Sequence, residues 1–224
     1  LKPSDHYNLD LKWDFNPTPT ELISLTAFYK LIKNPISRIE VASAGGYLSY
    51  ENIADKATVA GVEIEIRKNL FVRPVSNAAH GMNKLSLGLN GSYIYTNAKM
   101  PLATVTTGSQ LEGAAPWIVN FDLSHNFTKG ERSFVNTLVL NYVSDKIYTI
   151  GTQGYQDVME QGVLILDFVS QAKLNKHLSL NLKARNLLNP SYKLSRKANE
   201  NGEKVILNDY KKGINISLGV SCTF

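Results

Sequence analysis

The sequence of 224 residues holds one cysteine, Cys222, which excludes an internal disulfide and a thiolate metal cluster. It has no apolar run approaching the roughly 18 residues that a spanning helix needs, so helical membrane spans are excluded while barrel strands stay open. The chain opens at Leu1 without Met, and a basic, then apolar, leader is missing from its first residues. It therefore reads as a fragment or processed product. Four histidines, His6, His80, His125 and His177, stand apart without a second ligand at metal-binding spacing. GxSxG, HExxH, phosphate-cradling glycine and EF-hand patterns are all missing, so nucleophilic, metal and nucleotide chemistry lack a scaffold; no catalytic residue and no cofactor is expected. A formal charge of +5 raises nucleic acid as a partner. The Lys and Arg residues are spread among turns instead of forming one stripe, which argues against it.

What is present is alternation. Ile214, Ile216, Leu218, Val220, Cys222 and Phe224 alternate with Gly213, Asn215, Ser217, Gly219, Ser221 and Thr223. Successive side chains of a strand point to opposite faces, so this segment has one apolar face and one small or polar face. Tyr7, Leu9, Leu11, Trp13 and Phe15 do the same against Asn8, Asp10, Lys12 and Asp14, as do Leu85, Leu87, Leu89, Tyr93 and Tyr95 against Ser86, Gly88, Asn90 and Ser92. With residues 21–33, 57–68, 116–127, 134–145, 163–173 and 178–188, nine strands are expected and helix has little room. Strands that cross a bilayer at a tilt need about 9–11 residues, whereas soluble strands average about 5–6.

Connections 17–20, 128–133 and 174–177 are tight, while 34–56, 97–115, 146–162 and 189–211 are long. Outer-membrane barrels alternate short periplasmic turns with long extracellular loops in this way. Segment 69–83 is intermediate and reads either as an extended turn or as a further short hairpin. With the last strand running toward the periplasm, Trp13, Phe15, Phe127 and Phe224 fall near the inner rim. Tyr7, Tyr93, Tyr95, Trp117 and Tyr142 fall near the outer one, as aromatic girdles do. The fold class is therefore an all-β, antiparallel transmembrane β-barrel, with a soluble β-sandwich as its rival.

Four motifs, spread over residues 50–224, carry a family resemblance. Tyr50-Glu51-Asn52 followed by Gly61-Val62-Glu63-Ile64-Glu65 resembles strands of the TonB-dependent receptor barrel. Leu111-Glu112-Gly113-Ala114-Ala115-Pro116 is similar to that family's Leu-x-Gly-x-x-Pro entry into a strand, and Asn186-Leu187-Leu188-Asn189-Pro190-Ser191-Tyr192 to its penultimate-strand motif. Phe224 resembles the closing aromatic read by the barrel-assembly machinery. The resemblance implies that residues 1–224 are the C-terminal part, about nine strands, of a larger plugged barrel of about 22, with plug domain and early strands elsewhere. The long polar loops resemble those of Bacteroidetes-like receptors.

Asp10, Asp14, Glu63, Glu65 and Asp122 lie by periodicity on the polar face beside Lys12, Arg67, Lys183 and Arg185. That is a charge-balanced lumen wall, not an acid/base pair. Tyr148, Gln153, Tyr155 and Gln156 in one long loop, and Tyr192, Arg196, Lys197, Lys204 and Tyr210 in another, combine aromatic faces with hydrogen-bonding groups and are the candidate ligand contacts. The resemblance implies import of a scarce nutrient, such as a siderophore, haem or other chelate, energised through TonB by the missing N-terminal part. The partners it implies are outer-membrane lipid, lipopolysaccharide and the nutrient. A SusC-like glycan importer and a structural or adhesive barrel without import are the alternatives.

Overall fold

The computed structural model describes residues 1–41, 47–75, 81–100, 110–152, 155–198 and 203–223. Its strands, in chain order, are β1 (Asp5–Phe15), β2 (Leu22–Lys33), β3 (Ile36–Glu40), β4 (Leu48–Asn52), β5 (Lys56–Pro74), β6 (Met82–Ala98), β7 (Trp117–Lys129) and β8 (Arg132–Val143). There follow β9 (Lys146–Thr149), β10 (Val158–Glu160), β11 (Val163–Lys173), β12 (Leu178–Arg185), β13 (Ser191–Lys197), β14 (Lys204–Lys211) and β15 (Asn215–Cys222). The nine strands expected from periodicity form one antiparallel sheet in the order β1-β2-β5-β6-β7-β8-β11-β12-β15. Among the described residues, β1 and β15 are its edges.

Register carries the alternation across the whole sheet. Trp13 pairs with Leu25, Leu25 with Ile64, Ile64 with Gly91, Gly91 with Val119, Val119 with Tyr142 and Tyr142 with Leu164. A lower row runs from Leu87 through Leu123, Leu138, Phe168 and Ala184 to Ile216. Among the described residues no second layer covers this face: Leu9 is 71% exposed, Leu11 74% and Leu218 71%. A sandwich would bury these side chains, so that reading is removed; an apolar face of this extent is one made for lipid. At ~3.3 Å per residue and a tilt of about 45°, the stretch from Trp117 to Phe127 rises about 23 Å, near the about 25 Å apolar band of outer-membrane barrels. Rings meet at both ends of that stretch: Tyr93 and Trp117 at 4.6 Å, Phe127 and Phe134 at 6.3 Å.

The opposite face holds ion pairs and hydrogen-bonded polar side chains. Glu65 pairs with Arg67 at 2.6 Å and Lys12 with Asp14 at 3.2 Å. Ser124 and Thr137 share a hydrogen bond of 3.0 Å, and Asn120 donates to Asn90. Two glycines make room here. The ring of Phe28 lies over its cross-strand neighbour Gly61, where a Cβ would strike it, and Asp122 fills the space that a side chain at Gly88 would need. Covering a strand glycine with a cross-strand ring restores the contact that the glycine lacks.

The connections decide one reading that the sequence leaves open and revise another. Segment 69–83 is not a separate hairpin: β5 and β6 pair from Ala57–Ala98 down to Pro74–Met82 through a bulge at Asn69–Phe71, with Val75 N–H donating to Gly81 O. Segments 34–56, 146–162 and 189–211 are not irregular loops, because they hold six further short strands. These form a two-stranded sheet, β3-β4, and a four-stranded sheet, β14-β13-β10-β9, joined by a parallel bridge between Ile39 and Ile150. Under them lies a buried apolar cluster, Ile32, Ile39, Ile53, Ala54, Ala57, Ala98, Leu111, Ile147 and Ile150. Ile32, Ala57 and Ala98 belong to the polar-face parity at the outer ends of β2, β5 and β6, so the outer segments fold over the lumen side of the wall.

Candidate functional site

The outer roof is fixed by the motifs that stand out in the sequence. Leu111 is buried in the apolar cluster and its N–H donates to Thr96 Oγ1 at 3.0 Å. Glu112 accepts from the Arg38 backbone N–H at 2.6 Å and pairs with its guanidinium at 3.0 Å. Gly113 takes φ +75°, a region that favours glycine, and donates to Ile147 O. The Asn-Leu-Leu-Asn motif ends β12: Asn186 and Asn189 adopt φ of 59° and 44°, which stops the strand short of the expected residue 188. Asn186 N–H donates to Asp167 Oδ1 and its Nδ2 to Gly213 O, while Asn189 Oδ1 accepts from Gly213 N–H. Asparagine tolerates this left-handed backbone because its short amide bonds locally. Asn52 accepts from Lys2 N–H and donates to Asn34 O, holding β4 against the start of β1.

Within the roof, β9, β10, β13 and β14 frame a hollow of about 150 Å³ lined by Tyr148, Glu160, Tyr192, Lys193, Leu194, Asn208 and Tyr210. Tyr192 and Tyr210 are cross-strand partners stacked at 5.4 Å with 19° between planes. The ammonium of Lys212 lies 3.9 Å from the Tyr192 ring centre, and Arg38 lies 3.9 Å from that of Tyr148. Lys146–Glu160 at 3.4 Å and Lys193–Asp209 at 3.7 Å leave the surrounding strands charge-paired. Stacked rings with paired charges at their edges suit a flat, polar-edged group, and the volume is below the about 300 Å³ of a typical whole-ligand pocket.

Of the residues singled out in the sequence, Tyr148, Tyr192 and Tyr210 therefore meet at one hollow. Arg196 is placed elsewhere: it pairs with Glu40 of β3 and lies 5.4 Å from the Tyr155 ring centre. Burial lowers its pKa from the ordinary arginine value. Lys197 and Lys204 face each other as cross-strand partners at the exposed end of β13 and β14. Gln156 is half-buried beside Tyr155; Gln153 and Phe224 lie outside the described residues. Glu160, Lys193, Leu194 and Asn208 were not singled out. The signal for them was the alternation of Tyr192 and Leu194 with Lys193 and Ser195, which marks 191–197 as a strand. Among the described residues no three His, Cys, Asp or Glu side chains gather as metal ligands.

A family model described as TonB dependent receptor-like, beta-barrel, matches residues 1–187. No curated protein and no solved structure matches the chain. The match covers β1 to β12, and β15 continues the same sheet beside β12. With a lipid-ready face, a charged lumen face and a folded outer roof, the chain belongs to the TonB-dependent receptor-like β-barrel family, whose members are outer-membrane transport receptors of Gram-negative bacteria.

Proposed function

We propose that the intact protein binds a scarce extracellular chelate, such as a siderophore or haem, and imports it with energy delivered through TonB. The observation that carries the reading is the hollow of Tyr148, Tyr192 and Tyr210 within a roof tied to the barrel wall. A planar, polar-edged group stacks on tyrosine faces, and the flanking Lys212, in none of the ion pairs of the described residues, complements the acidic edges of catechol, hydroxamate or porphyrin carboxylate groups. Rigid strands, not loose loops, carry these side chains, so less ordering is lost when ligand binds. The chain's part is recognition at the outer face and a hydrated wall for passage; plug rearrangement belongs to the missing N-terminal part.

The test is growth of a deletion strain on ferric hydroxamate, ferric catecholate, haem or an oligosaccharide as sole source, complemented with wild-type or Tyr192→Ala/Tyr210→Ala protein. Growth on an iron source that the double variant loses, with the variant still present in the outer membrane, supports the proposal. Growth only on the oligosaccharide, or on every source without the protein, refutes it.

A further inference from the structure

The lipid-facing side of the wall is not uniformly apolar. Near the inner ends of β6, β7, β8 and β11, four polar side chains replace the expected hydrophobes and touch one another. His125 Nε2 and Asn83 Oδ1 are 2.8 Å apart, His125 pairs across strands with Asn136, Asn136 pairs with Ser170, and Ser170 Oγ donates to Asn136 Oδ1 at 2.7 Å. Their parity is that of Phe121, Leu123 and Leu138, so they face outward. Arg73 of β5 is the cross-strand partner of Asn83 on the same face. Below the Phe127–Phe134 pair the face ends in Lys129 and Arg132, themselves cross-strand partners.

Every formal charge on the outward face of β5 to β8, among the described residues, is a cation: Lys56 at the outer end, and Lys68, Arg73, Lys129 and Arg132. The carboxylates of these strands, Glu63, Glu65 and Asp122, face the lumen. Glu131 sits at the turn between Lys129 and Arg132 and leaves this rim cationic. None of the ion pairs of the described residues involves Arg73, Lys129 or Arg132.

We propose that this patch holds one anionic phospholipid of the periplasmic leaflet. The layering of the patch matches that of the molecule. Cations at the rim meet the phosphate, and two steps up, about 9 Å along the membrane normal at the usual tilt and past the Phe127–Phe134 pair, the Asn83–His125–Asn136–Ser170 stripe meets the glycerol and ester oxygens. Above it, Leu85, Leu123 and Leu138 lie along the acyl chains. Arginine supplies a forked donor for phosphate, and the amide, imidazole and hydroxyl groups supply donors where the ester carbonyls lie. A stripe with no lipid oxygens against it would leave unused polar groups turned to hydrocarbon, which costs free energy. The inference rests on the outer-membrane placement and not on which nutrient is imported.

The experiment is native mass spectrometry of the full-length protein released from nanodiscs of phosphatidylethanolamine and phosphatidylglycerol. Wild type retains phosphatidylglycerol in preference to phosphatidylethanolamine. Arg73→Gln/Arg132→Gln lowers that retention about fivefold to tenfold, and Asn136→Leu/Ser170→Ala lowers it as well. Arg73→Lys/Arg132→Lys restores most of it, and Lys176→Gln, in the β11–β12 turn outside the patch, leaves it unchanged. Heat-modifiable gel mobility confirms that each variant is folded, and the lysine variant serves if a glutamine variant is not. Equal retention in wild type and the folded patch variants overturns the proposal. So does an equal loss in Lys176→Gln, or release of a second protein chain instead of lipid when the stripe is replaced.

Discussion

Arg196 of β13 pairs with Glu40 of β3 across a separation of 156 residues, joining the two small outer sheets at side-chain level. Both side chains are largely buried, at 16% and 20% exposure, and Thr152 Oγ1 donates to the Glu40 carbonyl beside them. The pair works with Arg38, which holds Glu112 and the Tyr148 carbonyl, to fix the frame in which the tyrosine hollow sits.

Breaking that pair loosens the roof before the barrel. Arg196→Ala is expected to cost about 1–3 kcal/mol locally, since it leaves the Glu40 carboxylate with less compensation. Hydrogen exchange resolved by peptide reads this as faster exchange in β13 and β14 with β6 and β7 unchanged. Identical exchange in variant and wild type defeats the assignment.

The two faces of the wall differ in their tolerance of charge. Leu87→Arg places a guanidinium in the apolar belt and is expected to cost about 2–4 kcal/mol, whereas Ser86→Arg, one residue away on the lumen face, costs much less. Denaturant midpoints of the full-length protein in lipid measure both. Similar losses at the two positions contradict the facing.

Gly61 and Phe28 form a matched pair. Gly61→Val forces the ring aside and presses on the Tyr93 carbonyl, and is expected to cost about 1–3 kcal/mol; Phe28→Ala in the same chain recovers the part due to the ring. Additive effects of the two substitutions in a double-mutant cycle speak against the contact.

Asn186 serves through both backbone and side chain. Asn186→Ala loses the bond to Gly213 O and strains the left-handed backbone, for about 2–4 kcal/mol in total, while Asn186→Gly relieves the strain and loses only that one hydrogen bond. The order of unfolding midpoints, wild type above Gly above Ala, is the expected result; Ala at or above Gly rejects it.

All nine wall strands were legible because a wall residue answers only to lipid or water, so alternation such as Leu85-Ser86-Leu87-Gly88 has one meaning. The six short strands were not. In Lys204–Lys211 the run Val205, Ile206 and Leu207 breaks period two, and β13 and β14 slip register between Leu194 and Ser195, so packing on the roof and not the local pattern decides their pairing. The polar stripe was hidden for a related reason. His125, Asn136 and Ser170 lie in three separate strands, and only register shows that they adjoin. The tyrosines could be named from loop composition, but their meeting depends on the pairing of Tyr192 with Tyr210.

The margins Asp5–Phe15 and Asn215–Cys222 each have one side of backbone amides and carbonyls that meets no strand among the described residues. In hydrocarbon such groups cost several kcal/mol each, and no side-chain substitution offsets a whole row of them. Insertion is thereby made a timed event: both margins have to find strand partners, in each other or elsewhere, before acyl chains reach them.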